Sequence, residues 1–329
     1  YIARIPGRVV IDGIQAVKDL KIELEDYKLE TVAQLLMGKG KLIASDDDKI
    51  AEIDRLFFRN KRSLADYNIE DCVLVSDIFE KLGVIDLWVC RSQLSGMVMD
   101  KLNLSQSVFD HFYMPRYHRK GFVSMNPSSV NNNDIEQLEI DKFYHTGSFK
   151  GVLRLAFDHF YPSLIAGFNI DLLGLMDDSG RQLKAPGGDS FSKDNSIMPS
   201  FFKYLSETNL ESRDLGSENG IKASAMVADS LVYALCANNN RFYNSRIVQT
   251  MLECGRWMID QIYDFFTASG HRVIYLSTRS MFVELNPANN YGETKDLASF
   301  AKKLEEALAL KIKASGAPNI FLRFRQIEF

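Results

Sequence analysis

The chain has 329 residues, of which 46% are apolar and 11% aromatic, and its formal net charge is −4. This length and composition can supply the core of one large domain or of two smaller ones. The acidic balance excludes a protein coated with basic surface, but it leaves room for a local basic groove.

The start of the chain lacks the pattern of a secretory signal peptide, because its first basic residues are not followed by a long apolar stretch. The longest apolar run, Leu231 to Ala237, falls far short of the roughly 18 to 20 residues that a membrane-spanning helix needs. Tyr1 in place of an initiating Met suggests a fragment of a longer protein. Four widely spaced cysteines indicate reduced thiols in a cytoplasmic protein rather than a zinc site or a disulfide framework: Cys72, Cys90, Cys236 and Cys254.

The first third of the chain is rich in helical signals. Between Leu29 and Leu82 apolar residues recur at helical spacing, which predicts a mostly helical segment. The sequence then turns polar between Phe122 and Gly147, and its most loop-like part is Asn126 to Asp134. We therefore expect a domain boundary there.

The rest of the chain alternates strand and helix signals. Its hairpin has β-rich runs at His271–Leu276 and Ser280–Leu285 joined by a tight polar turn, and turn signals at 177–180 and 186–189 flank a loop. The other predicted elements are a strand at Gly151–Phe157, helices at Pro162–Phe168, Ile221–Cys236, Arg246–Thr267 and Thr294–Ile312, and a last strand at Asn319–Ile327. This order predicts an α+β fold in which helices cover one face of an antiparallel sheet.

Five sequence blocks and the hairpin, in their order and spacing along the chain, together indicate a family resemblance. The five blocks are Gly7-Arg-Val-Val-Ile-Asp-Gly13, Leu29-Glu-Thr-Val-Ala33, Tyr67-Asn-Ile-Glu-Asp-Cys72, Tyr161-Pro-Ser163 and Asn240-Arg-Phe-Tyr-Asn-Ser-Arg246. In these blocks the chain resembles the bacterial DNA polymerase II family, which belongs to the family B DNA polymerases. The resemblance spans almost the whole chain.

The resemblance implies a division of the chain into parts of a polymerase. Residues 1–125 would be the C-terminal part of an RNase H-like exonuclease domain with its connection, and residues 126–150 a linker. Residues 151–190 and 246–329 would form a palm, an antiparallel sheet with helices, and residues 191–245 helical fingers. The early exonuclease motifs and the thumb would be absent.

One exonuclease motif is retained. Tyr67 and Asp71 match the family's Tyr-x-x-x-Asp motif, in which the carboxylate helps to hold a metal and the phenol helps to orient the attacking water. Their spacing of four places both on one face of a helix. A single carboxylate does not make a two-metal site, and without the resemblance the same residues read as an ordinary helix start.

The polymerase site departs from the family pattern. Aligned on Tyr161-Pro-Ser163, Ala156 stands where the family has a metal-binding carboxylate, and Asp158 follows about 7 Å further along the strand. At the hairpin tip the family's Tyr-Gly-Asp-Thr-Asp-Ser has its two Asp replaced by Ser277 and Arg279. Two-metal nucleotidyl transfer needs carboxylates that hold dications within about 4 Å, whereas Arg279 would repel them. We expect loss of polymerase chemistry and no metal at this site.

The fingers show similar replacements. Counting back from Asn240, the family's triphosphate-binding Lys, its Asn, its Tyr-Gly pair and an upstream Arg fall on uncharged or acidic residues: Ala225, Asp229, Val232-Tyr233 and Asn209. Arg213 keeps a positive charge near a basic position of the family, and Lys222 would replace the missing Lys after a shift of one helical turn. Tyr161 matches the tyrosine that packs under the sugar in the family, although an aromatic anchor at a strand-to-helix corner is an equal interpretation.

Several basic residues are candidates for DNA contact. Arg241, Arg246 and Arg279 are the main ones, although arginines that flank helices are often only solvated or paired. A further basic cluster fits phosphate contacts or a solvated loop equally well: Arg116, His118, Arg119 and Lys120.

The leading interpretation is a catalytically inactive relative of these polymerases that keeps the palm and fingers for DNA binding or as a structural module. The alternative is a 3′–5′ exonuclease in the intact protein, with Mg²⁺ at the Asp71 site and the palm as a DNA platform. Both interpretations make DNA the expected partner, in replication or repair on the nucleoid.

Overall fold

A computed structural model describes residues 5–20, 22, 24–38, 49–102, 105–126, 138–285, 297–314, 320 and 323–328. Its contacts divide the chain into two compact units. The first unit comprises Tyr1–Gln93 and Met97–Asn103, and the second comprises Leu94–Gly96 and Leu104–Phe329.

The first unit is built from helices. They are α1 (Gly13–Asp19), α2 (Leu29–Met37), α3 (Lys49–Arg59), α4 (Lys61–Lys81), most of α5 (Val84–Ser95) and a 3₁₀ turn at Met99–Lys101. Its core joins α1, α2 and α4 through Val17, Val32, Ala33, Leu74 and Ile78. The predicted helical segment between Leu29 and Leu82 is thus confirmed for its described residues.

The second unit contains all the described strands. They are β1 (Asp141–Phe143), β2 (Val152–Asp158), β3 (Gln182–Lys184), β4 (Ser190–Ser192), β5 (Arg272–Ser277), β6 (Ser280–Glu284) and β7 (Arg323–Glu328). Five of them form an antiparallel sheet in the order β1-β5-β6-β2-β7, and β3 and β4 form a separate hairpin.

The helices of this unit give the sheet one buried and one open face. They are α6 (Ser105–Arg119), α7 (Phe160–Phe168), α8 (Leu172–Met176), α9 (Met198–Asp214), α10 (Glu218–Cys236), α11 (Ser245–Ala268) and α12 (Leu297–Ala314). Leu153, Leu155, Met281 and Val283 are fully buried, whereas Arg154 and Phe282, which alternate with them, are half-buried. The predicted α+β fold with an antiparallel sheet is confirmed. None of the helices in the described ranges is long and apolar enough to cross a membrane.

The predicted hairpin and the strand and helices next to it agree with the structure to within a few residues. Two features differ. The loop predicted between 177 and 189 contributes to the β3–β4 hairpin, and the predicted linker at 126–150 contains β1, while its residues 127–137 lie outside the described part. The starts of the last predicted helix and strand, Thr294 and Asn319, also lie outside it.

Helix α6 belongs to the second unit by its contacts. The Tyr113 hydroxyl donates a hydrogen bond of 2.9 Å to the buried carboxylate of Asp171, and the Tyr113 ring packs edge-on against Phe242. Asp171 also accepts hydrogen bonds from the backbone N–H groups of Ile197 and Met198, so one carboxylate joins α6 to the starts of α8 and α9. The unit boundary therefore falls before α6.

Candidate functional site

The turn between β5 and β6 is closed by the side chain of Ser277. Its buried hydroxyl donates to the carbonyl of Ser280 at 3.0 Å and accepts from the N–H groups of Ser280 and Arg279 at 3.0 and 3.2 Å. A serine hydroxyl that bonds the backbone in this way stabilises a tight turn. Ser277 therefore acts locally, as part of the hairpin.

Ala156 lies beside this turn. It pairs with Ser280 in the register of β2 and β6, and the next residue, Phe157, donates its N–H to the carbonyl of Arg279 at 2.8 Å. The structure thus brings together Ala156, Ser277 and Arg279, the three positions that the sequence singled out. The Arg279 side chain is 77% exposed and forms an ion pair with Glu139.

Asp158 is the nearest acidic group to Ala156 along β2, and it is already bound by two basic side chains. Its buried carboxylate lies 2.7 Å from a guanidinium nitrogen of Arg213 and 3.1 Å from Nδ1 of His159. Burial raises the pKa of Asp158, but the hydrogen bonds and charges of His159 and Arg213 outweigh it and hold the pKa below its usual value. Asp158 is therefore an anion paired within the protein.

Arg213 connects several elements around Asp158. Its Nε donates to the side-chain oxygen of Asn209 at 2.9 Å, and another nitrogen lies 3.3 Å from the Phe324 carbonyl on β7. Asn209 is buried and in turn donates to the Ser224 hydroxyl on α10 at 2.9 Å. A continuous polar network therefore runs from α10 through α9 to β2 and β7.

Glu305 on α12 is a second acid near this network. It accepts the Phe324 N–H at 2.6 Å. Burial raises its pKa above the usual value, and the same N–H together with Arg323 and Arg213 opposes that shift. Its carboxylate is thus also tied to β7.

Tyr161 is buried at the corner between β2 and α7. The chain turns this corner through His159, a non-glycine residue in the left-handed region with φ 52°. The Tyr161 hydroxyl donates to the carbonyl of Leu138, and burial raises the pKa of the phenol. A methyl group added at Gly255 on α11 would lie 2.8 Å from the hydroxyl oxygen, so the ring is closely enclosed.

The remaining predicted basic residues of the second unit are held in ion pairs, of which that of Arg241 is mostly buried. Arg241 pairs with Asp110 at 3.0 Å, Arg246 with Asp189 at 2.6 Å and Lys222 with Glu218 at 3.4 Å. In the basic cluster at the end of α6, Arg116 stacks 4.0 Å from the ring centre of Phe112, and the others are exposed: His118, Arg119 and Lys120.

The predicted exonuclease residues lie on α4, in the first unit. Tyr67 is buried and Asp71 half-buried one turn later, whereas Ile69 and Val73 are exposed. Tyr67 and Asp71 therefore share the inward face of the helix.

The carboxylates at these positions do not fit a pair of divalent metal ions. A two-metal centre needs several oxygen ligands around ions about 4 Å apart. On the strands at the hairpin tip, Asp158 is bound by Arg213 and His159, and Asp141, opposite Ser277 on β1, accepts a hydrogen bond from the Tyr275 hydroxyl. The exonuclease motif on α4 contributes the single carboxylate of Asp71. Across the described ranges, no three His, Cys, Asp or Glu side chains are grouped so that they could hold a metal ion.

No family model matches the chain. Comparison with curated proteins finds DNA polymerase II of Escherichia coli K12, 30% identical over 325 residues that cover 97% of this chain. The DNA polymerase catalytic subunit of Epstein-Barr virus (strain B95-8) is 28% identical over 178 residues, 51% of this chain and 16% of the viral protein. The corresponding subunit of Tupaiid herpesvirus 1 is 35% identical over 82 residues, 24% of this chain and 7% of that protein.

The chain is a homologue of the family B DNA polymerases. It spans about 40% of the length of DNA polymerase II. The antiparallel sheet of this family B homologue contains the predicted hairpin. The hairpin carries Ser277 and Arg279 at its tip.

The sequence did not reveal the polar network around Arg213 in this family B homologue. The sequence singles out Arg213 as a basic residue of the fingers and candidate nucleotide contact, and Asp158 only as an acid displaced from the metal-binding position. Their pairing joins residues 55 positions apart, and Glu305 was not singled out at all. The opposite charges of Arg213 and Asp158 were the only sequence signal for their ion pair. The same signal fits many pairs of charged surface residues.

Proposed function

We propose that the chain is part of a polymerase II-like protein that binds DNA but no longer transfers nucleotides. In this proposal residues 151–190 and 246–329 correspond to the palm, residues 191–245 to the fingers, and residues 1–125 to the end of an exonuclease domain with its connection. The pairing of β2 with the β5–β6 hairpin, across the intervening helices α9 and α10, supports this division.

The single observation that carries the loss of transfer is the environment of the hairpin tip. Ala156 and Ser277 offer no carboxylate, Arg279 brings a cation, and the nearby carboxylate of Asp158 is neutralised by Arg213. A dication placed here would meet the Arg279 guanidinium, and Coulomb repulsion would disfavour its binding. Arginines already hold Asp158 and Glu139, and Asp141 accepts the Tyr275 hydroxyl.

Retained basic residues support DNA binding. Arg241, Arg246 and Arg279 lie on the second unit in ion pairs that are partly or largely exposed. In the Arg279–Glu139 pair both side chains are largely exposed, and because exposed ion pairs contribute little stability, a phosphate group can replace this carboxylate at low cost. Tyr161, Arg213 and Lys222 remain candidate nucleotide contacts, although the first two are held by internal hydrogen bonds.

Primer extension tests the proposal on the full-length protein. With a primer–template, all four deoxynucleotides and Mg²⁺ or Mn²⁺, we expect no templated product, while E. coli DNA polymerase II extends the same primer in parallel. Anisotropy of a labelled duplex should show binding in the same buffer. Robust templated synthesis would refute the loss of transfer, and absence of any binding would refute the DNA-binding role.

A second candidate function is a 3′–5′ exonuclease in the intact protein, with the palm as a DNA platform. The observation that favours it is the shared inward face of Tyr67 and Asp71 on α4. Degradation of a single-stranded primer by the intact protein, lost on Asp71→Ala but kept on Asp77→Ala, would support it. Equal degradation by both variants would count against a role for Asp71.

A further inference from the structure

A row of aromatic side chains crosses the open face of the five-stranded sheet. In the strand register Phe143 on β1 lies opposite Tyr275 on β5, Tyr275 opposite Phe282 on β6, and Phe282 opposite Arg154 on β2. The ring centres of Phe143 and Tyr275 are 4.8 Å apart, and those of Tyr275 and Phe282 are 5.8 Å apart. We call Phe143, Tyr275 and Phe282 the aromatic row.

The row lies next to the hairpin tip. Ser277 is two residues beyond Tyr275 on β5, and Ala156 is two residues beyond Arg154 on β2, so both belong to the same face. A two-residue step along a strand is about 7 Å. The positions where the resemblance places metal-binding residues are thus one step from the aromatic row.

The exposure of the row is more than sheet stability requires. Cross-strand aromatic pairs contribute roughly 0.2–1 kcal/mol to a sheet, and they do so best when the rings are covered. Phe143 is 75% exposed, while Tyr275 and Phe282 are half-buried and Tyr275 anchors its hydroxyl on Asp141 at 2.6 Å. Each ring thus packs against its neighbour in the row and remains partly or largely exposed to solvent.

Arginines accompany the row. Arg154 ends it on β2, and Arg272 and Arg279 lie at its two sides. Arg272 pairs with the half-buried Glu284, and Arg279 forms an exposed ion pair with Glu139. Burial and the hydrogen bond to Asp141 raise the pKa of Tyr275, and the nearby charge of Arg279 opposes this shift. A guanidinium plane can stack on a base or bind a phosphate, and a surface carboxylate yields readily to either.

We propose that the aromatic row is a stacking platform for the bases of single-stranded DNA. The proposal rests on the DNA-binding function proposed above and specifies the form of DNA. Only unpaired bases expose their flat faces, and aromatic side chains in a positively charged setting bind them without regard to sequence. A duplex offers its phosphates to the arginines and keeps its base faces inside.

Replacement of the most exposed ring tests the platform on the full-length protein. Phe143→Ala should weaken binding of a labelled oligothymidylate roughly five- to a hundred-fold, the range for loss of one base–aromatic stack. Binding of a blunt duplex should change less than about two-fold, and the salt dependence should stay the same because no charge is altered. Phe143→Tyr keeps a ring and should retain the wild-type affinity.

Leu215→Ala is the matched control. Leu215 is an apolar side chain of the same unit, 83% exposed at the turn between α9 and α10, and its loss should leave oligothymidylate binding unchanged. Thermal unfolding of each variant checks that the fold is intact, which the exposure of both residues favours.

Each outcome decides the proposal. An unchanged affinity of Phe143→Ala for oligothymidylate, with DNA binding otherwise present, would overturn the platform and leave the row as a sheet-stabilising feature. An equal loss for duplex and single strand would also overturn it, because stacking on unpaired bases predicts a selective loss. A wild-type protein that binds neither form would instead refute the proposed DNA-binding function.

Discussion

Arg213 on α9 donates a hydrogen bond of 2.7 Å to the carboxylate of Asp158 at the end of β2. The Asp158 side chain is only 6% exposed and that of Arg213 25% exposed. Because Arg213 also reaches Asn209 and the Phe324 carbonyl, one guanidinium links α9 to two adjacent strands of the sheet. The charge that a metal ion would supply to Asp158 is supplied here by the protein itself.

Removal of the Asp158 charge should destabilise the protein. Asp158→Asn leaves the Arg213 guanidinium without its counter-ion in a largely buried place, and we expect a loss of about 2–4 kcal/mol in the free energy of unfolding. Urea denaturation followed by circular dichroism measures it.

The control for this change is Asp194→Asn. Asp194 pairs with Arg181 at the similar distance of 2.8 Å, but both side chains are largely exposed, so its loss should change the stability little. Equal losses for the two variants would contradict the burial argument.

The pair of Asp158 and Arg213 should make the free energy of unfolding depend on pH in the acid range. A carboxyl group whose folded pKa lies below its unfolded value stabilises the protein above the unfolded pKa of about 3.9, and this contribution is lost as the pH falls through the folded pKa. The pKa of Asp158 is lowered in this sense. The stability gap between wild type and Asp158→Asn should therefore be full at pH 7 and narrow below about pH 4.

Comparison of wild type with Asp158→Asn separates the effect of Asp158 from that of buried acids with a raised pKa, which affect stability in the opposite direction. Burial raises the pKa of Asp171, and this group opposes acid destabilisation in both proteins alike. Burial also raises the pKa of Glu305, to which the Asp158 charge adds a small part that Asp158→Asn removes. Urea unfolding at a series of pH values measures the gap. A gap that stays constant between pH 7 and pH 3 would show that the carboxylate of Asp158 does not carry the effect.

Local patterns predicted the elements with strong periodicity. The β5–β6 hairpin and the helices α10 and α11 were found from the sequence because their signals extend over several turns or a full alternation. Strands β1, β3 and β4 were not, since three residues are too few to show an alternation.

The candidate site was predicted only in part, because its relationships are set by tertiary packing. The sequence singled out Ala156, Ser277 and Arg279, which the structure brings together at one end of the central strands. The aromatic row depends on the register of three strands, of which β1 lies far from the β5–β6 hairpin in the chain. Register is fixed by the folded sheet and not by the spacing of aromatic residues in the sequence.

The enclosure of Tyr161 should make Gly255 intolerant of a side chain. A methyl group there would lie 2.8 Å from the Tyr161 hydroxyl oxygen and 3.2 Å from a methyl group of Ile140. We expect Gly255→Ala to cost about 1–3 kcal/mol by overpacking, measured by thermal or urea unfolding. Gly13→Ala is the control, since its methyl group would meet Phe79 at an ordinary 3.5 Å. Combination with Tyr161→Phe should recover part of the loss, and strict additivity would show that the hydroxyl is not the obstacle.

The ion pair between Arg279 and Glu139 should control DNA binding in two opposite directions. Arg279→Glu removes an exposed cation at the hairpin tip and should weaken duplex binding. If Arg279 contacts one phosphate, the slope of log affinity against log salt should become shallower by about 0.9. Glu139→Gln releases Arg279 from its carboxylate and should strengthen binding, because the guanidinium then pairs with phosphate without competition.

Fluorescence anisotropy of a labelled duplex at several salt concentrations measures both changes. Arg181→Glu serves as the control, since Arg181 is a similarly exposed arginine in an ion pair on the same unit but belongs to the β3–β4 hairpin region. A loss of affinity as large for Arg181→Glu as for Arg279→Glu would indicate a general effect of net charge. An unchanged affinity for both Arg279→Glu and Glu139→Gln would show that the hairpin tip does not contact the DNA, because a phosphate contact at Arg279 requires the two variants to differ.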